Sequence, residues 1–143
     1  MAALTASRNT PQMGSDGTFK LSIPLKANAK VFKGGMVAID NTTGYGVQPS
    51  VATTLISAGV ALADADNTGG SNGALSVDVI CEAAFLYDCS GQAQTALGRL
   101  LYFVDDHTLT VTNTGASIAG VCVGFVSATQ LWCFIGVPRA AGT

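Results

Sequence analysis

The chain has 143 residues, 48% of them hydrophobic and only 11% charged, with a formal net charge of −2. That length fits one domain around a single core, and the acidic balance excludes general nucleic-acid binding, which needs a basic footprint to displace counterions from phosphates. The sequence holds no apolar run long enough for a transmembrane helix.

Met1 to Gly17 lacks the apolar stretch of a secretory signal and reads as a polar, flexible arm, so synthesis in a cytoplasm is expected. Charge is unevenly spread: Arg8, Lys20, Lys26, Lys30 and Lys33 face only Asp16 in the first 33 residues, whereas from residue 34 onward two arginines face eight acids. A basic N-terminal segment suits docking on an acidic partner surface, and a solvated arm whose lysines flank turns is the alternative.

From Thr18 the chain returns repeatedly to short β-compatible runs broken by Gly, Asn, Asp, Thr and Pro. Phe19, Leu21 and Ile23 alternate with polar residues, and Pro24 marks a strand end or edge. Met36 to Ile39 reads as a strand, Asn41 to Gly44 as a turn into Tyr45-Gly46-Val47, and Leu55 to Ala63 as the next strand. Asp64 to Gly73 is a turn-rich segment expected to be a mobile loop. It begins like a calcium loop, but the later acidic ligand of that motif is missing and no flanking helix is expected. Leu75 to Leu86 carries the strongest period-two signal, with Asp78 and Glu82 on the polar face.

Gln92 to Leu97 reads as a loop or a single helical turn. Leu100 to Val104 and Leu109 to Val111 are predicted to form a hairpin across Asp105 to Thr108, and Ile118 to Val126 pairs with Leu131 to Val137 in a second. The last strand is apolar on both faces, which predicts that it is central or covered by another subunit. One pattern occurs twice, loosely and with gaps, as either an internal symmetry or the common grammar of short strands would produce. Gly34 to Asp40 followed by Ala58-Gly59-Val60-Ala61-Leu62 matches Gly98 to Asp105 followed by Ala119-Gly120-Val121-Cys122-Val123, and each copy encloses a turn and a short strand.

Nine strands at this spacing predict an all-β fold, an antiparallel β-sandwich of jelly-roll type with a small β-barrel as the alternative. The expected organisation is an arm over 1–17, one β domain over 18–137 and a tail over 138–143. So little surface charge disfavours a free monomer and favours a chain that lives assembled, which would also cover its sheet edges.

Catalytic chemistry is sparse. The single histidine, His107, falls in a predicted turn after two aspartates, and there is no nucleophile elbow or phosphate loop. Neither an enzyme nor a cofactor is expected. The four cysteines, Cys81, Cys89, Cys122 and Cys133, contain no C-x-x-C pair, and with one histidine they predict buried, reduced thiols and no metal site.

The ordered β segments and Gly-Val junctions at Phe32 to Asp40, Ala58 to Gly70, Leu75 to Phe85, Gly98 to Val104 and Ala119 to Val137 together resemble tailed-phage capsid decoration, or cement, proteins. The resemblance covers residues 18–137; the four cysteines and the longer Asp64 to Gly73 loop depart from it. It implies a structural virion protein on the outer surface of an icosahedral head, made in the bacterial host's cytoplasm. Such a protein clamps neighbouring major capsid subunits against internal DNA pressure. Its implied partners are the major capsid protein and itself, as a homo-dimer or homo-trimer at local symmetry axes, with no nucleic acid and no membrane. The arm together with Arg8, Lys20, Lys26, Lys30 and Lys33 is the expected capsid contact. A receptor- or carbohydrate-binding β module of a virion is the alternative function.

Overall fold

A computed structural model of the chain describes residues 19–140 together with Ala6. The described residues form twelve strands and one short 3-10 turn: β1 (Phe19–Pro24), β2 (Lys30–Val31), β3 (Met36–Asp40), β4 (Tyr45–Val47), β5 (Leu55–Ala61), β6 (Ala65–Asp66), β7 (Ser76–Cys81), β8 (Ala83–Cys89), the turn Gln94–Ala96, β9 (Leu100–Phe103), β10 (Thr108–Thr110), β11 (Ile118–Ser127) and β12 (Gln130–Ile135). The expected all-β fold is what the chain adopts, with antiparallel pairing nearly throughout. Among the described residues, no helix is long and apolar enough to cross a membrane.

Three strands more than the sequence pattern suggests come from two causes. The two-residue strands β2 and β6 pair with each other, and the long alternating run is cut at Glu82, which sits at φ 61° between β7 and β8. Its side chain accepts the Val137 N–H at 3.0 Å while its own N–H bonds the Ile135 carbonyl at 2.7 Å. Both predicted hairpins form, β9 with β10 and β11 with β12.

The two halves have the same strand order. The first runs β1-β7-β5-β3-β4, and the second runs β8-β12-β11-β9-β10 and closes as a barrel through a parallel β8–β10 pairing. The first half makes the corresponding closure with a parallel bridge between Leu25 and Gly46, where the second pairs Cys89 with Leu109. Registers agree residue by residue. Met36 pairs with Val60 and Leu100 with Val121; Val37 pairs with Gly59 and Leu101 with Gly120; each ladder then slips by one residue, at Ala58 and at Ala119. The loops entering β3 and β9 also match: Gly34 N–H bonds the Ala61 carbonyl at 3.0 Å and Gly98 N–H bonds the Cys122 carbonyl at 2.8 Å. The repeat read from the sequence is therefore a structural repeat of two five-stranded units.

Period-two alternation explains the interiors. Ile23, Leu25, Val37, Ala58, Ala61, Val77 and Val79 fill the first barrel. Their counterparts Tyr87, Cys89, Leu101, Ala119, Cys122, Leu131 and Cys133 fill the second. Where Leu109 plugs the second barrel, the first has Gly46, and a Cβ there would stand 2.8 Å from Ile23 Cγ2. All four cysteines are buried and unpaired.

The Asp64 to Gly73 segment, expected to be mobile, is tied down. β6 pairs with β2, and Asn67, 2% exposed, donates from Nδ2 to the carbonyls of Lys26 at 2.9 Å and Ser71 at 3.0 Å. The last strand, β12, is central, between β8 and β11. Its outer face is only partly covered among the described residues: Phe134 is half-buried and Trp132 is 41% exposed.

Candidate assembly surface

The outward faces of the two barrels differ in one respect. In the first, the row Lys20–Ile80–Val60–Met36 crosses β1, β7, β5 and β3. Met36 and Val60 of that row, with neighbouring Ala38, are buried in one cluster with Tyr87, Leu101, Phe103 and Leu109 of the second barrel. Polar contacts hold this seam: Met36 N–H to the Asp106 carbonyl at 2.8 Å, Tyr87 O–H to the Gly34 carbonyl at 2.8 Å, and Gln48 Nε2 to Asp106 Oδ2 at 2.9 Å. Ser117 completes it, accepting from Leu55 N–H and donating to the Ala52 carbonyl.

In the second barrel the same row is Ala84–Phe134–Val121–Leu100; its ends, Ala84 and Leu100, are exposed, and Phe134 and Val121 between them are half-buried. Leu100 is 45% exposed and Ile118 38%, against 1% for Met36. Beside this row lies the pair Leu86 and Trp132, both exposed. The result is an apolar belt without a charged side chain along its two rows. At its β9/β11 edge it forms the floor of an open groove of about 700 Å³ whose far wall is Leu55, Ile56 and Ser57 and whose rim carries Arg139. Ser57 Oγ in that wall is buried without a hydrogen-bond partner among the described residues.

The basic residues singled out by sequence are spread over the first barrel. Lys26 is half-buried and ion-paired to Asp40 at 2.8 Å; that contact, followed by hydrogen bonds from Thr42, holds the Asp40 carboxyl down to about 2. Lys30 stands 3.8 Å from Asp66 and lies over the Phe32 ring. Lys20 and Lys33 are exposed. Arg8 and most of the arm lie outside the described residues. Sequence reading found the apolar second face of the last strand but not the rest of the belt, because an apolar residue on the outer face of a strand is indistinguishable by type from one beneath a neighbouring element.

The His107 turn is a closed local network. Its Nδ1 meets Asp88 Oδ2 at 3.0 Å and its Nε2 lies 3.6 Å from Asp105 Oδ1. The Asp88 hydrogen bond, then the charge of Asp105, pushes the imidazole above its usual range. Asp105, Asp106 and His107 offer ligand atoms within 4.8 Å of one another. Those atoms are already engaged: Asp105 accepts the His107 and Thr108 N–H groups, and Asp106 accepts from Gln48.

Compared with protein-family models, curated proteins and solved structures, the chain matches none.

Proposed function

We propose that the protein decorates and cements the outer surface of an icosahedral phage head, clamping neighbouring major capsid subunits. The observation that carries this reading is the duplication. Two barrels of one topology, joined by the single residue Glu82 and sharing a buried core, form one rigid two-lobed body, which suits a protein that bridges two copies of a repeating shell subunit. Many such contacts repeated by symmetry act multivalently, so individually weak binding suffices to stiffen the shell. The uncharged surface and the sparse catalytic chemistry accord with it. Exposed Lys20, Lys30 and Lys33, with the N-terminal arm, are the groups assigned to an acidic shell surface.

Co-sedimentation of the protein with empty, expanded heads tests the reading. Saturable binding in fixed ratio to the shell protein is expected, weakened by Lys20→Glu/Lys30→Glu/Lys33→Glu and by deletion of residues 2–17. Absence of binding to expanded heads overturns it. The exposed Trp132 favours one second reading, a receptor- or carbohydrate-binding module, since an outward indole is the platform on which a sugar face stacks. A glycan screen with wild type and Trp132→Ala separates the two.

A further inference from the structure

We propose that the outward face of the second barrel, formed by β8, β12, β11 and β9, is the surface on which a second copy of this chain docks. The internal repeat carries the argument. The same face of the first barrel is covered within the chain by a barrel of the same fold, and its residues Met36, Ala38 and Val60 are buried there. In the second barrel the equivalent residues are Leu100, Tyr102 and Val121, larger at one of the three positions, where Tyr102 stands for Ala38; Leu100 is 45% exposed and Tyr102 and Val121 are half-buried.

The chemistry of the belt fits a copy of the chain better than another class of partner. Interface cores are depleted of charge and enriched in aromatic residues, and the belt offers Trp132, Phe134 and Tyr102 with Leu86, Leu100 and Ile118. A nucleic acid or an acidic peptide would require cations that these rows lack. The belt is also continuous with an interface already formed: the groove at its edge is walled by Leu55 and Ser57 of β5, and the neighbouring Ser117 belongs to the inter-barrel seam. A docked copy would extend that seam. The inference concerns how copies meet each other and stands whether or not the shell reading does.

Trp132 is the chain's only tryptophan, so it reports on this face alone. The test is sedimentation of the full chain over a wide dilution series, read beside Trp132 emission and its quenching by acrylamide. The expected result is a mass above 14.4 kDa that falls to the monomer on dilution, with Trp132 emission moving to the red in parallel. Leu100→Glu/Ile118→Glu is expected to be monomeric with an unchanged far-UV spectrum. The milder Leu100→Ser, which keeps the test valid if the double variant misfolds, should weaken association roughly fivefold. A wild type that stays monomeric throughout overturns the proposal, with shielded Trp132 then pointing to residues 1–18 of the same chain as the cover and accessible Trp132 leaving the face for the shell. Association that leaves Trp132 unchanged, or that the variants do not weaken, also overturns it. Head binding is measured separately, so failure of either reading is seen without the other.

Discussion

Gly59 and Gly120 occupy the same position in the two barrels, each following a slipped alanine and each pressed against the backbone of the next strand. A Cβ on Gly59 would lie 2.6 Å from the Ile80 carbonyl oxygen, and one on Gly120 would run into the Phe134 carbonyl and the Cys133 sulfur. Ile80 and Phe134 are themselves equivalent, paired with Val60 and Val121. The slip brings two strands too close for any side chain, so both copies use glycine. At Gly59 a φ of +135° adds a second reason.

Gly59→Ala and Gly120→Ala are each expected to lower stability by about 2–4 kcal/mol, because the obstruction is backbone and cannot swing away. Gly44, at φ +78° with nothing within 4 Å of its would-be Cβ, isolates the conformational component, and Gly44→Ala should cost about 1 kcal/mol. Urea unfolding midpoints at constant slope measure all three. Equal effects at Gly44 and Gly120 would remove the close-approach explanation.

Asn67 fixes the long loop by aiming one amide nitrogen at the carbonyls of Lys26 and Ser71, with the Leu25 carbonyl further off at 3.4 Å. Truncation to Ala leaves these acceptors short of a donor in a buried site, an expected loss of about 1–3 kcal/mol. Asn67→Asp should be worse, since it turns a carboxylate oxygen toward carbonyl oxygens. Hydrogen exchange at Asn28, whose N–H bonds the Asn67 carbonyl at 3.1 Å, is expected to accelerate in both variants. Unchanged protection there would show that the loop is held by the β2–β6 pairing alone.

Much of this architecture is legible in the sequence, and the reasons are local. Alternation at Phe19, Leu21 and Ile23 and at Leu131, Cys133 and Ile135 fixes which face turns inward, and the two Ala-Gly-Val junctions mark the equivalent slips. What is not legible is non-local. A single loop segment gives no sign that Asn67 will meet carbonyls some 40 residues away. The run through Leu86 keeps its period across Glu82, so the crossing from one barrel to the other leaves no mark in the pattern. Exposure of Leu100 against burial of Met36 depends on what lies beyond each sheet, a property no residue type encodes.

Asp40 and Lys26 make a pH-dependent contribution whose window follows from the shift. Folding lowers the Asp40 carboxyl from 3.8 to about 2, first through the Lys26 hydrogen bond and then through Thr42. A depressed carboxylate stabilises the fold above its unfolded value, and that stabilisation is lost as pH falls through the folded one. Because Lys26 is 39% exposed, solvent screening holds the pair to about 1 kcal/mol. Lys26→Met is expected to lower stability by that amount at neutral pH, with the difference from wild type closing between pH 4 and pH 2. His107 runs the other way. Its raised imidazole stabilises at low pH and loses that contribution as pH rises through its folded value, and Asp88→Asn should bring the imidazole titration, followed by NMR, back down. A difference at Lys26→Met that persists at pH 2 would assign the effect to packing of the lysine stem.

The four cysteines give a chemical readout of barrel integrity. Burial, then the neighbouring Cys122, pushes the Cys133 thiol up to about 12, and burial also raises Cys81 and Cys89. A thiol reacts as its thiolate, so Cys81, Cys89 and Cys133 should not react with a disulfide reagent in the folded protein at neutral pH; Cys122, 1% exposed, is closed to the reagent by burial, and all four should react in denaturant. Gly120→Ala presses directly on the Cys133 sulfur, so in that variant Cys133 is expected to become reactive at denaturant concentrations that leave Cys81 protected, even though Cys81, on β7 of the first barrel, is buried in the same cluster. Simultaneous exposure of both would mean that the barrels open as one cooperative unit, as the core shared by Met36, Val60, Leu101 and Phe103 would enforce if it outweighs the local damage.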